Sequence, residues 1–250
     1  MDAPVTIVTS HFNEDLTWLR AWEGPVVVVD KVGASPTCFD PLLVIPNTAR
    51  EASAYVAYIV FEYDRLPERV AFIHGHEHAW HQCHTRGLLD VIRGANPACG
   101  FVPLNNLFNH KSWLLLPIGY ESVCTPIGAQ FVVQRACIRA RPHAVWVKLL
   151  KFLTSPCTYP LESYQRGLVL EVMWHALFGE PTHDVVPREE WFTFEYFPTW
   201  WCEISGSVIL TYATVVDRQQ IAQLHEVFRR FMAVDPWVGI PRRMLHMPEF

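Results

Sequence analysis

The sequence predicts an open α/β sheet flanked by helices within one domain, and three observations lead there. Short β-branched runs alternate with helix-period segments through the first 105 residues. Half of the 250 residues are apolar, enough to bury a sizeable core. Neither an internal repeat nor a low-complexity tract nor a Pro/Gly-rich linker divides the chain.

The elements follow in order. "VTIVTSHF" (5–12) and "GPVVVVDK" (24–31) read as strands. Between them "NEDLTWLRAW" (13–22) predicts a helix with Asn13 as its N-cap and Glu14 and Asp15 in its first turn. "PLLVIPN" (41–47) is a third strand, and "REASAYVAYIVFEYDRL" (50–66) a helix with Tyr55, Val56, Ile59, Val60, Tyr63 and Leu66 on one stripe. "RVAFI" (69–73) is a strand and "TRGLLDVIRG" (85–94) a short helix. Residues 96–128 are loop-rich and read as insertions around the mouth of a site. Order resumes with the strand "AQFVVQ" (129–134), a helix over 136–153 interrupted near Pro142, and a long helix over 162–179 ended by Gly179. An aromatic, strand-bearing stretch from Trp191 and a helix from Asp217, with Gln220 as its capping-box partner, form a carboxy-terminal extension. The predicted organisation is therefore one domain over 1–250, in which 1–105 and 106–180 are followed by an extension (181–250).

Charge and cysteine usage bound the function. The net charge of −5 without a basic run excludes a nucleic-acid footprint. Seven scattered cysteines without a C-x-x-C pair suit a reduced, intracellular and cytoplasmic protein. "MDAPVTIV" has an acid where a secretory peptide wants positive charge, and no run reaches the roughly 18 apolar residues of a membrane span. Docking on a membrane-bound partner stays open, and the oligomeric state is not encoded.

The stretch "RVAFIHGHEHAWHQCH" (69–84) carries the strongest chemical signal, five of the twelve histidines. Behind a buried strand, His74 and His76 point to the same side, roughly 6 to 7 Å apart at ~3.3 Å per residue. That is where ligands bind in open α/β sheets. Three readings stand: a solvent-facing polar loop, a metal site, or a metal-free site of hydrogen-bonding imidazoles. Zinc would need a third ligand, for which Glu77 and Cys83 are nominated. Asn13, Glu14 and Asp15 serve either as helix cap and dipole complement or as ligand contacts. Arg50 and Glu51 form either a surface ion pair or a functional site in which Arg50, at a helix start after a strand, meets an anionic ligand. Most of the ten tryptophans belong to the core; Trp80, Trp113, Trp200 and Trp201 sit near loops, where a ring can stack on a sugar or base.

Taken together, "HFNEDLTWL", "NTAREASAYVAYI", "FIHGHEHAWH", "GAQFVVQRACIRARP" and "LEVMWHALFG" resemble, in order, the motifs of an uncharacterised domain family of fungi and large viruses. The resemblance covers residues 6 to 180. Ala49 departs from it, standing where the family has glycine in N-x-G-R-E. The family's layout in turn resembles the GT-A fold of nucleotide-sugar glycosyltransferases, a Rossmann-like open mixed sheet, which implies a nucleotide-binding half (1–105) and an acceptor and catalytic half (106–180). That likeness implies transfer of a sugar from a nucleoside-diphosphate sugar to a hydroxyl acceptor, a glycan or another alcohol. Here "HGH" occupies the place of the D-x-D motif. His11, Asn13, Asp15, Lys31, Arg50, Glu51, His74, His76, Trp80 and Gln130 are then the expected donor-binding residues. Glu171 is the expected general base, with His175 tuning or orienting it. Either His74 and His76 hold Mn²⁺ or another divalent ion, or the enzyme is metal-independent and Lys31, Arg50, Lys111 or Arg135 stabilises the leaving group. Two alternatives are a metal-dependent hydrolase built on the His74–His84 cluster and a non-catalytic binding protein on the same scaffold.

Overall fold

The computed structural model describes residues 4–31, 37–78, 87–105, 108–109, 125–126, 128–156 and 162–180. The expected carboxy-terminal extension, Trp80, Cys83, Lys111, Trp113, Trp200 and Trp201 lie outside them.

Strands β1 (Thr6–His11), β2 (Val26–Asp30), β3 (Pro41–Val44), β4 (Arg69–His74), β5 (Phe101–Pro103) and β8 (Phe131–Gln134) form one mixed sheet in the order β3-β2-β1-β4-β8-β5. A separate two-stranded pair joins β6 (Phe108–Asn109) and β7 (Thr125–Pro126). β3, β2, β1 and β4 run parallel, whereas β8 is antiparallel to both β4 and β5. The helices are α1 (Arg50–Glu62), α2 (Leu88–Gly94), α3 (Arg135–Arg139), α4 (His143–Thr154) and α5 (Glu162–Leu177). The helix-flanked α/β sheet that the alternating pattern predicts is the architecture found, and the sheet is mixed.

Strand alternation explains how the sheet is buried on both faces. Val8, Val29, Val70, Phe72, Phe131 and Val133 face a core shared with α1, α4 and α5. Their neighbours Ile7, Val28, Ala71, Ile73 and Val132 face a second core with Leu19, Leu88, Val91 and Ile92. Such doubly covered strands need apolar side chains at nearly every position, hence "VVVV" and "RVAFI". The first core is aromatic: Trp174 and Phe178 stack 5.9 Å apart at 7°, and Phe131 lies 5.3 Å from Trp174.

Two local expectations change. Residues 13–22 do not make a helix capped by Asn13. Asn13 sits at φ 71°, and only a 3-10 turn forms, over Thr17–Ala21, with no side-chain cap. Asp15 holds its start instead, accepting from the Thr17 amide and hydroxyl at 2.9 Å each. The segment is then pinned by indole donors, Trp18 to Gly75 O (3.0 Å) and Trp22 to Val5 O (3.2 Å). In α1 the expected apolar stripe widens to all-round burial, from Ala52 through Ile59. The helix is sandwiched between the sheet and α4 and α5, so small residues such as Ala52, Ala54 and Ala57 face neighbours too.

Chain order places the crevice. From β1 the chain adds β2 and β3 on one side, then returns to lay β4 on the other side of β1. The carboxyl ends of β1 and β4, with the start of antiparallel β8, therefore border a topological switch point where ligands bind in open sheets.

Candidate functional site

Three sequence-distant segments deliver polar side chains to that edge. His74 is the last residue of β4, paired in register with Ser10 of β1, and it is only 5% exposed. Its amide donates to Gln130 Oε1 (3.3 Å), and Gln130 Nε2 donates to Asn105 Oδ1 (3.0 Å). Gln130 thus carries the backbone pairing of β4 into the loop entering β8. Gly75 follows for a steric reason: a Cβ there would sit 3.0 Å from both Ser10 O and Glu14 Oε2. His76 is exposed, with its ring 5.2 Å from that of His74. Among the described residues no three His, Cys, Asp or Glu side chains gather at metal-binding distance. Glu77, nominated as a third ligand, is exposed and lies 3.8 Å from His78 instead.

The pleat separates residues expected to share one cleft. His11 and Asp30, adjacent in the β1–β2 register, are buried together with Nδ1 and Oδ1 3.2 Å apart. They alternate in phase with Ile7 and Val28, on the α2 face. Lys31 and His74 alternate in phase with Val29 and Phe72, on the α1 face. Asn13 and Asp15 belong to the exposed turn after β1. There the Thr17 bonds hold the Asp15 carboxyl below its usual value.

Lys31 is a structural cation. Its ammonium donates to Thr48 O (2.6 Å), to Arg50 O and to Ser53 Oγ (2.9 Å), fixing the turn that leads into α1. Burial pulls it down to about 8, while Glu51 and Glu14 pull the other way. Its three donors are committed to that turn, so it is not the charge that meets a leaving group. Arg135 is not either. It closes β8 at the far end of the sheet, bound to Glu68 and to Leu66 O, because β8 runs against β4 and carries its carboxyl end away.

The turn that Lys31 holds is strained, and α5 is shaped to receive it. Ala49 (φ 50°, ψ 36°) and Arg50 (φ 51°) both lie in the left-handed region, where glycine is favoured. Position 49 is therefore left-handed, and an alanine fills it. Four residues of α5 spaced by four, Ser163, Gly167, Glu171 and His175, run along one side of the helix. Ser163 Oγ accepts from the Ala49 amide (2.8 Å). At Gly167 a Cβ would come within 2.7 Å of Ala49 O, so the backbone approach requires glycine. Glu171 Oε1 takes Arg50 Nη1 at 2.6 Å. His175 continues the line, buried, into a small cavity.

Arg50 is the half-exposed cation of the cluster, against Tyr164 (5.1 Å to the ring centre) and 3.8 Å from Glu51. Burial pushes Glu51 up, but the charges of His74, Arg50 and Lys31 outweigh it and hold the carboxyl below its ordinary value. Glu171 goes the other way. Burial pushes it up to about 7, Arg50 offsets part of that, and Glu51 adds to it. The surrounding charges thus favour the ionised form of Glu51 while burial favours the protonated form of its neighbour Glu171, the division of labour that acid–base chemistry needs.

Ser163 and Gly167 of the α5 stripe and Asn105 were missed from sequence, whereas Glu171 and His175 of the same stripe were named there. The signal was present: S-x-x-x-G-x-x-x-E-x-x-x-H places Ser163 and Gly167 in line with Glu171 and His175 along one side of the helix. Neither a curated protein nor a solved structure matches the chain. A family model does, over residues 6–92 and 103–192, more than half of the chain and all of the cluster above. The chain belongs to the family described as Protein of unknown function (DUF3431).

Proposed function

We propose that the protein transfers a sugar from a nucleoside-diphosphate sugar to an acceptor hydroxyl, with Glu171 as the base. The observation that carries this reading is the pairing of Glu171, held near neutrality, with Arg50 at the carboxyl edge of the sheet. A nucleotide sugar presents a diphosphate and several hydroxyls to its site. Arg50, at the start of α1, suits the diphosphate, and ionised Glu51 suits the hydroxyls. Glu171 takes the acceptor O–H proton, and the acceptor oxygen attacks the anomeric carbon. The bond from that carbon to the diphosphate oxygen breaks with its electron pair remaining on the diphosphate, beside the guanidinium. Lys31, Ser163 and Gly167 position Arg50 and do not touch substrate. His74 and His76 are the residues that would hold a divalent ion, and a bound ion would neutralise charge on the leaving diphosphate.

The test is Glu171→Gln. Calorimetric affinity for UDP, GDP or their sugars is expected to stay near wild type, while transfer falls by about 10² to 10⁴. Wild-type turnover in the variant removes Glu171 from the base role. Absence of nucleotide binding by the wild-type protein removes the function itself.

A further inference from the structure

The line of α5 residues ends at a cavity of about 10 Å³, whose lining includes Phe101, Phe131, Trp174, Gln130, Glu171 and His175. That volume is what one water molecule needs, and a buried water needs two to four polar partners. We infer that this cavity binds one water, anchored by the Trp174 indole N–H, that couples the Glu171 carboxyl to the His175 imidazole.

Trp174 supplies the independent observation. Its ring is 2% exposed, and no group of the described residues accepts from its Nε1–H. A buried indole donor without an acceptor is costly, and the pocket that Trp174 lines supplies room for an oxygen. The indole cannot turn away to find another partner, since it is stacked on Phe178 and packed against Phe131 and Tyr55. A water accepting from Trp174 keeps two protons to donate and one further lone pair. Glu171 and His175, one helical turn apart, both line the cavity to receive them. Arg50 already holds Glu171 Oε1, which leaves the carboxyl its second oxygen for this partner.

The consequence rests on the glycosyl-transfer reading. The acceptor's proton, once on Glu171, passes to the water as the water gives one of its own to a neutral His175. Glu171 returns to carboxylate and His175 becomes imidazolium, with the water unchanged. His175 is then a positioning and relay residue, apart from the reacting atoms.

A crystal structure of the wild-type protein at a resolution that shows ordered water tests the site directly. One peak within hydrogen-bond distance of Trp174 Nε1, Glu171 and His175 is expected; a dry cavity, or a water that reaches only one of the two titratable groups, overturns the inference whatever the activity. If the water is present but no donor sugar is transferred, the water site stands and the proposed function falls. With an active enzyme, His175→Asn is expected to lower kcat about tenfold at unchanged donor Kd, with the kcat proton inventory in H₂O/D₂O mixtures turning from curved to linear. A curved inventory retained in the variant overturns the relay.

Discussion

Replacing Arg50 by glutamine is expected to raise the Glu171 pKa by about one unit, from about 7 to about 8. The guanidinium touches the carboxylate at 2.6 Å, which places the charge centres about 4 Å apart. At an effective dielectric of about 20, that separation corresponds to about 4 kcal/mol of attraction. The full value does not apply, because Arg50 is 37% exposed and water screens it, whereas Glu171 is 15% exposed. Exposed pairs contribute only about 0 to 1 kcal/mol, so a pair exposed on one side belongs between these limits, near 1.4 kcal/mol or one pKa unit. Glu51 acts in the same direction: 3.8 Å from Arg50, it loses its own counter-charge and repels ionised Glu171 more strongly.

The assay is carbon-13 NMR of glutamate-labelled protein, with the Glu171 carboxyl assigned by its disappearance in Glu171→Gln. In the Arg50→Gln protein its midpoint should move up while the other carboxyls, Glu51 aside, hold their positions. If catalysis uses the ionised carboxyl, the alkaline plateau of kcat moves by the same amount. A midpoint at or below 7 would refute the reasoning, because it would mean that the Arg50 charge is not what offsets the effect of burial on Glu171.

Three further outcomes are expected. Glu171 binds its proton more tightly folded than unfolded, so its contribution to stability is fully present below the unfolded value near 4.5 and is lost as pH rises to 7. Glu171→Gln should therefore flatten urea-denaturation stability between those limits by up to about 3 kcal/mol, and a pH dependence like that of the wild type would show the shift to be absent. Gly167→Ala gains about 1 kcal/mol of helix propensity yet places a Cβ 2.7 Å from Ala49 O; a net loss of about 1 to 2 kcal/mol is expected, and a more stable variant would mean that α5 does not press on the turn. Ala49→Gly relieves about 1 to 2 kcal/mol of left-handed strain against a buried methyl of about 0.8 and added unfolded-state entropy of about 0.4 to 1, so denaturation should register a change below about 1 kcal/mol. A loss beyond 2 would mean that position 49 is not left-handed in solution.

The strands were legible because burial on two faces leaves little choice of residue. A run such as "VVVVD" or "RVAFIH" has only one stable use in a chain of this composition, and β2 and β4 lie where those runs are. The turn after β1 was not legible, because "NED" supports both a helix cap and an Asx-type turn. The contest was settled by Trp18 and Trp22, whose indoles reach Gly75 and Val5, residues remote in sequence. Likewise the sequence placed His11, Lys31 and His74 at one edge but could not sort them between faces. A strand-end residue's side depends on the register of its own strand, and one step separates Asp30, which meets His11, from Lys31, which meets α1.

Why the cluster around Arg50 has its form follows from the same accounting. A left-handed pair at Ala49 and Arg50 is unfavourable, and such strain persists only where the surroundings over-determine it. Four contacts do so here: the Lys31 ammonium on the carbonyls of Thr48 and Arg50, Ser53 beneath it, Ser163 on the Ala49 amide, and Gly167 open to the Ala49 carbonyl. None of these contacts adds apolar burial, and all of them aim one guanidinium at Glu171. A helix start needed only for packing would be reached more cheaply through an ordinary capped turn, with serine or aspartate at position 49 and the lysine left in solvent. Strain and a buried ammonium concentrated on the orientation of a single half-exposed arginine are what a charge-positioning site requires and what a purely structural turn does not.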